Sequence, residues 1–323
     1  MSLDLDAVLD RRRLRRKLTV WRVIAFALVA GLIVVAASSI LDQFGGDHVA
    51  RVSIHGFISE DPNQLAMLKQ IEKDKKIKAV IVSIDSPGGS TAGGEALYEA
   101  LRRIAEKKPM VATMSTVAAS AGYMVALASD HILARRTTIT GSIGVIFQSP
   151  DASKLLNTVG ISFEEIKSSP LKAEPDPLTP TTDEAREMVR SVILDTYDWF
   201  VDLVAERRPF DRDTALALAD GRIFSGRQAV EARLVDAIGA QEEARDWLNT
   251  EHKVATDLPL RDWKPHNPEE EFGFLGRALT GIREISGLSG LLGQLSQQFE
   301  GIKHPTALDG LRSVWQPQPS QGE

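Results

Sequence analysis

The sequence predicts an α/β fold, and two observations predict it. Residues 78–84 (KAVIVSI) form a nearly continuous apolar run, as in a strand buried on both faces of a parallel sheet. Strand-like and helix-like segments then alternate with short connections, the pattern of βαβ units with right-handed crossovers.

Residues 49–58 alternate like a first strand, and residues 63–73 carry helical spacing. The 78–84 strand leads through a glycine-rich turn into a helix over about residues 94–107. Residues 110–114 form a strand that enters a small-residue turn, and a helix begins around Ala119 to Tyr123. Residues 131–134, 144–147 and 161–166 read as further strands, with a short helix over 151–159 between the last two. Residues 167–180 hold four prolines in fourteen positions, which forbids a regular element and predicts a loop. Thr181 or Thr182 caps a long amphipathic helix through about Arg208. Two short helices (213–219 and 226–233) follow, and Leu234-Val235-Asp236 closes the compact region near Gly239.

Hydrophobic content of 43% and charged content of 25% are those of a globular protein. Without cysteine, the chain has no disulfides, thiolate metal sites or thiol catalysis. Residues 23–41 are uncharged and follow a cluster of Arg11, Arg12, Arg13, Arg15, Arg16, Lys17 and Arg22. The run exceeds the ~7–15 residues of a signal-peptide core and predicts a retained transmembrane helix. The basic side then stays in the cytoplasm, and everything beyond residue 41 lies on the outer face of the cell (inner) membrane.

Removing the 7 basic and 3 acidic residues of positions 1–22 from the totals of 38 and 44 leaves 31 and 41, a net of −10. An acidic ectodomain argues against nucleic acid as a partner. The membrane-side arginines suit topology and anionic lipid. The expected organisation is a basic N-terminus over 1–22, an anchor over 23–41 and a folded domain over 46–250. An extension over 251–323 is expected to be partly helical with a disordered tail.

Chemistry centres on Ser120. A serine at a helix N-terminus meets unpaired backbone N–H groups and a favourable dipole, so it is either a nucleophile beside part of an oxyanion hole or a plain N-cap. The glycine-rich segment at 85–94 (DSPGGSTAGG) lacks the Gly-Lys-Ser/Thr ending of a phosphate loop. Its Pro-Gly-Gly turn instead lets backbone N–H groups approach a ligand, which makes Gly89 a second oxyanion donor beside Ala121. None of the six histidines sits in a context that marks a triad base. A lysine whose free amine accepts the serine proton is the substitute, and Lys167 and Lys172 stand out in the proline-rich loop.

The motifs DSPGG at 85–89, AASAGY at 118–123 and TGSIGV at 140–145 together resemble the signal peptide peptidase A family of serine proteases. Gly160-Ile161-Ser162-Phe163, Lys167-Ser168, Lys172, Asp220-Gly221-Arg222 and Leu234-Val235-Asp236 continue the resemblance, which covers about residues 49–240 and the short form of the family. It implies a ClpP/crotonase-like fold of repeated ββα/βαβ units and a Ser–Lys dyad. Ser120 matches the nucleophile, Lys172 the base with Lys167 as its alternative, Ser142 the serine that supports the lysine, and Gly89 with Ala121 the oxyanion hole. It implies no metal or organic cofactor, a homo-oligomeric ring in which adjacent protomers can share the dyad, and remnant signal peptides or unfolded segments as substrates. A catalytically inactive membrane scaffold or partner-binding ring of the same fold is the alternative. The sequence departs from the family pattern at Ala121 and Met124, which points to altered pocket walls.

Overall fold

The computed structural model describes residues 46–265 and 312–314, with residues 17, 21–24, 26, 27, 30 and 31 of the N-terminal segment. The chain divides into two compact units, Met1–Asp47 and His48–Glu323. The span expected at 23–41 falls largely outside the described residues, as does most of the extension beyond residue 265. Among the described residues no helix is long and apolar enough to cross a membrane.

The second unit is built on a nine-stranded mixed sheet. Its strands are β1 (His48–Ile58), β2 (Ile77–Ser90), β3 (Met110–Ala119), β4 (His131–Ala134), β5 (Ile139–Gly141), β6 (Ile223–Ser225), β7 (Ala237–Ile238), β8 (Leu260–Trp263) and β9 (Arg312–Val314). The main path runs β6-β5-β3-β2-β1-β8, with β4 joining β3 to β7 and β9 on β2. Pairing is parallel except for β5 with β6 and β2 with β9.

The continuous apolar run of β2 has a direct cause. Val80, Val82 and Ile84 enter one core with Leu68, Ile71, Leu101 and Ile104 from the helices α1 (Pro62–Lys73) and α2 (Thr91–Ala105). Ala79 and Ile81 alternate to the opposite face, where Ala244 and Leu248 of a later helix cover them. Both faces are buried, so no polar alternation survives.

Helix starts follow local capping chemistry. Asp61 Oδ1 accepts the Asn63 N–H at 2.9 Å, and Pro62 opens α1. Ser90 Oγ accepts the Gly93 N–H at 3.1 Å, so α2 begins three residues before the expected start at 94. Next come α3 (Ala121–Ala126), α4 (Ser153–Thr158) and α5 (Asp183–Arg207), the last capped by the Thr182 hydroxyl. They are followed by α6 (Arg212–Leu218), α7 (Gly226–Glu231) and α8 (Gln241–His252).

Three expectations are corrected. Residues 144–147 and 161–166 do not form strands: among the described residues only Ile146 makes a single bridge, and no continuous ladder is offered to either segment. Ile161, Phe163 and Ile166 are instead exposed. The strand expected at 144–147 is replaced by β5, slightly earlier, where residues 117–119 of β3 supply the partner. The folded domain also continues past the expected boundary at 250, since β8 pairs with β1 from Leu260 onward.

β1 and β2 shift register together, at 55–57 and 84–86, and β3 changes partner from β4 to β5 over the same rows. Side chains bind the backbone at this bend. Ser86 Oγ donates to Gly56 O at 2.6 Å, Asp85 accepts the Val117 N–H at 3.1 Å, and Thr138 Oγ1 donates to Ser115 O at 2.6 Å. The bend divides β3 into a core half and a half that leads to the site.

On the α8 face, His131 stacks on Trp247 at 4.8 Å between ring centroids and lies 3.7 Å from Asp236. Burial pushes its pKa below the ordinary 6.5, outweighing the opposing pull of Asp236. The unfolded chain therefore takes up this proton before the folded chain does. The linked stability is fully present above about pH 6.5 and is lost as pH falls through the folded value. The melting temperature should thus decline from pH 7 to pH 5, and His131→Asn should flatten part of that decline. An unchanged slope in the variant would remove His131 as a source.

Candidate active site

β3 ends at Ala119, and α3 begins at Ala121, so Ser120 alone makes the strand-to-helix turn. It adopts φ 57° and ψ −118°, a conformation that L residues rarely take. Two contacts impose it. The Ser120 N–H donates to Gly141 O at 2.8 Å, which ties the turn to the end of β5, and Ser120 O accepts the Met124 N–H at 2.9 Å. The hydroxyl does not cap the helix, so the plain N-cap reading has no bond behind it. The residue is 1% exposed, and all of α3 behind it is buried.

The helix reaches this depth because small residues admit it. A Cβ on Gly122 would come within 2.9 Å of Ser86 O, and one on Gly94 within 3.1 Å of the Ala121 Cβ. Tyr123 anchors the other side by donating from its hydroxyl to Leu234 O at 2.9 Å, in surroundings whose burial pushes its pKa up. The fit gives a physical account of both the Gly-rich 85–94 segment and the Ala-Gly-Tyr sequence after Ser120. Gly89 lies at the end of β2, paired with Ile58 on one side and with Ser313 of β9 on the other. A Cβ on Gly89 would overlap the Ile58 carbonyl.

Ser142 follows Gly141, both at positive φ (51° and 79°), and its N–H donates to Arg222 O at 2.8 Å. Ser120, Ala121, Ser142 and the 85–94 segment therefore form one neighbourhood. Lys172 is not bonded into it: the residue is exposed, and its amine makes no hydrogen bond or ion pair with any described residue, Ser120 and Ser142 included. Lys167 is bonded to Glu165 and, at 2.8 Å, to Glu174. The two carboxylates raise its pKa, the Glu165 bond most, so this amine is held protonated and is a poor base. No cluster of His, Asp or Glu among the described residues has metal-holding geometry.

Residues 102–255 match the model of peptidase family S49. A protein of Synechocystis named as a protease is 39% identical over 204 residues, spanning 62% of this chain and 73% of that one. The chain belongs to peptidase family S49. This is the family of signal peptide peptidase A, and an Enterococcus faecium protein of that name is 37% identical over 203 residues (62% of this chain, 59% of the relative). The chloroplastic serine protease SPPA of Arabidopsis thaliana is 35% identical over 256 residues, 76% of this chain and 36% of that one. Among solved structures, a mutant of the 1510-N membrane-bound stomatin-specific protease superposes with TM-score 0.44 at 14% identity, covering 69% of this chain and 100% of that one.

Within this S49 peptidase, several motif residues support the site from a distance. Arg222 pairs with Asp220 and offers its carbonyl to Ser142, so Asp220-Gly221-Arg222 is the clasp of the Ser142 turn. Asp236 accepts from the Ile132 N–H at 2.7 Å and from Arg208 at 2.8 Å, which fixes the Leu-Val-Asp turn against β4. Thr140 Oγ1 donates to Ala118 O at 2.7 Å and bonds β5 to β3 just before Ser120. Sequence reasoning missed Thr138, and it read Thr140 only as part of the 140–145 motif, because a threonine carries no local mark of which distant carbonyl it bonds.

Gly89→Ala should lower both stability and activity. The overlap with Ile58 O must push β1 and β2 apart at the end nearest Ser120, at a cost of about 2–3 kcal/mol. Denaturant titration beside peptide hydrolysis checks this, and a variant of wild-type stability and rate would show that the contact relaxes freely.

Proposed function

We propose that this S49 peptidase is a membrane-anchored serine endopeptidase on a ClpP/crotonase-like fold, with Ser120 as nucleophile and Lys172 as general base. The observation that carries the reading is Ser120 itself, a non-glycine residue at φ 57° in the turn between a sheet strand and a helix N-terminus. Strain of this kind persists where the surrounding structure over-determines it, and it turns a side chain away from its ordinary local bonds.

In the proposed reaction Ser120 Oγ attacks the scissile carbonyl carbon while the neutral Lys172 amine takes its proton. The N–H groups of Gly89 and Ala121 hold the tetrahedral oxyanion. The Lys172 ammonium then protonates the leaving amine, and water hydrolyses the acyl-enzyme with Lys172 again as base. Ser142 donates to or accepts from that lysine and keeps it aimed. Lys172 is exposed within one chain, so its amine reaches Ser120 of an adjacent protomer in a homo-oligomeric ring. Burial at that contact would lower its pKa toward neutrality. Exposed Leu155, Val159, Ile161 and Ile166, from the segment before Lys172, suit such a subunit contact.

The pairing of β9 with residues 88–90 supports extended peptides as substrates. That edge accepts a strand antiparallel, the geometry of peptide recognition by strand addition. Remnant signal peptides and unfolded segments meet this requirement, because they have no structure of their own to lose. The exposed, helical Trp21, Val23 and Phe26 support an N-terminal anchor, with the catalytic unit outside the cytoplasm. The reading needs no cofactor and no nucleic acid. Treatment with a fluorophosphonate probe, followed by mass spectrometry, should place the adduct on Ser120. Adduct on another serine, or none in a chain that cleaves peptides, would overturn the assignment.

A further inference from the structure

The overall charge beyond the proposed anchor is strongly acidic, yet one end of the sheet is basic. Lys73 lies in the last turn of α1, Lys75 and Lys78 flank the turn into β2, and Lys107 and Lys108 form the junction between α2 and β3. They line one cavity of about 400 Å³, in which five lysines meet two carboxylates, Glu72 and Asp74. Both carboxylates are engaged: Glu72 holds Lys107, and Asp74 accepts the Lys76 N–H at 2.9 Å while its carbonyl takes the Lys108 amine. Lys73, Lys75, Lys78 and Lys107 are exposed.

The position of this collar is as informative as its charge. It sits at the end of the sheet where the strands begin. There the His48 N–H donates to Lys76 O at 2.9 Å and the Val80 N–H to Pro109 O at 2.9 Å. His48 is also the first residue of β1, seven positions after the end of the anchor proposed at 23–41. A chain of that length spans at most about 25 Å. We infer that the lysine collar around Lys73, Lys75, Lys78 and Lys107 is a docking surface for the anionic phosphate headgroups of the bilayer that holds the anchor. The inference rests on the anchor reading. Unlike charges attract through salt water only over about 8–10 Å, so the collar works only if this end of the sheet faces the membrane. Docking there would orient the whole sheet and present one end of it away from the bilayer.

The test uses the full chain in vesicles of phosphatidylcholine, with or without about 30% phosphatidylglycerol, pulsed with an amine-reactive reagent and read lysine by lysine by mass spectrometry. Lys73, Lys75 and Lys78 should react about fivefold more slowly in the anionic vesicles, and high salt should restore their rates. Lys154 and Lys253, exposed elsewhere, should not change. In a Lys73→Gln, Lys75→Gln, Lys78→Gln variant the lipid sensitivity of Lys107 should disappear. Equal reactivity in the two lipids, from a chain that resists carbonate extraction, would overturn docking while leaving the anchor intact. Protection by soluble glycerol phosphate alone would replace the membrane with a small-anion site. Release of the chain by carbonate would remove the anchor reading and the docking together.

Discussion

Ser120→Ala should abolish peptide hydrolysis, by roughly 10⁴-fold or more in kcat, because the acyl-enzyme can no longer form. The fold should be retained, since alanine keeps the backbone bonds of Ser120 to Gly141 and Met124 and removes no capping bond. A companion variant separates chemistry from structure. Ser120→Gly should be equally inactive yet more stable, by about 1 kcal/mol, because glycine takes φ 57° without steric cost. Loss of activity with gain of stability is the mark of strain held for function. Hydrolysis of a fluorogenic signal-peptide-like substrate and thermal unfolding of both variants give the two numbers. Substantial turnover by Ser120→Ala would end the nucleophile assignment, and a destabilised Ser120→Gly would show that the turn is not strained.

Mixing two dead variants should restore part of the activity. Ser120→Ala retains Lys172, and Lys172→Ala retains Ser120. If each site draws its serine and its lysine from adjacent protomers, random 1:1 rings rebuild about one quarter of the sites. A dyad within one chain rebuilds none. The exposed position of Lys172, whose amine is bonded to no described residue, favours the first outcome. Co-expression of the two variants, with sizing to show that mixed rings form, makes the measurement. Recovery near one quarter supports the shared dyad. No recovery in well-mixed rings places the base on the same chain, and full activity of Lys172→Ala alone removes Lys172. Lys167 is a weak replacement, because Glu165 and Glu174 stabilise its charged form.

The long elements were legible in the sequence because their signals are local. The apolar run of β2 reflects burial on both faces, and the cap at Thr182 is a bond over three residues. Ser120 was legible for the same reason, as a serine in a small-residue turn between a strand and a helix. Residues 144–147 and 161–166 misled because alternation reports which faces could be buried and not whether a partner strand exists. The glycines at 88–94 read as a turn, but Gly88 and Gly89 lie in β2 and Gly93 and Gly94 in α2, because the strand passes straight into the helix at Ser90. Their packing against Ile58, Ser59 and Ala121 depends on residues 27 to 34 positions away.

The sequence by itself determined the alternation of strands and helices, the family motifs and the candidate nucleophile, since each is a property of neighbouring residues. Only the tertiary structure decided the backbone angle of Ser120, which its bonds to Gly141 and Met124 impose, and the joining of Ser142 to Arg222 across eighty positions. It also decided that the Lys172 amine is exposed and makes no bond to Ser120 within one chain. The reason is physical. Caps, turns and apolar periods act over a few residues, whereas strain, close approach and the meeting of two reactive groups are set by how distant segments pack.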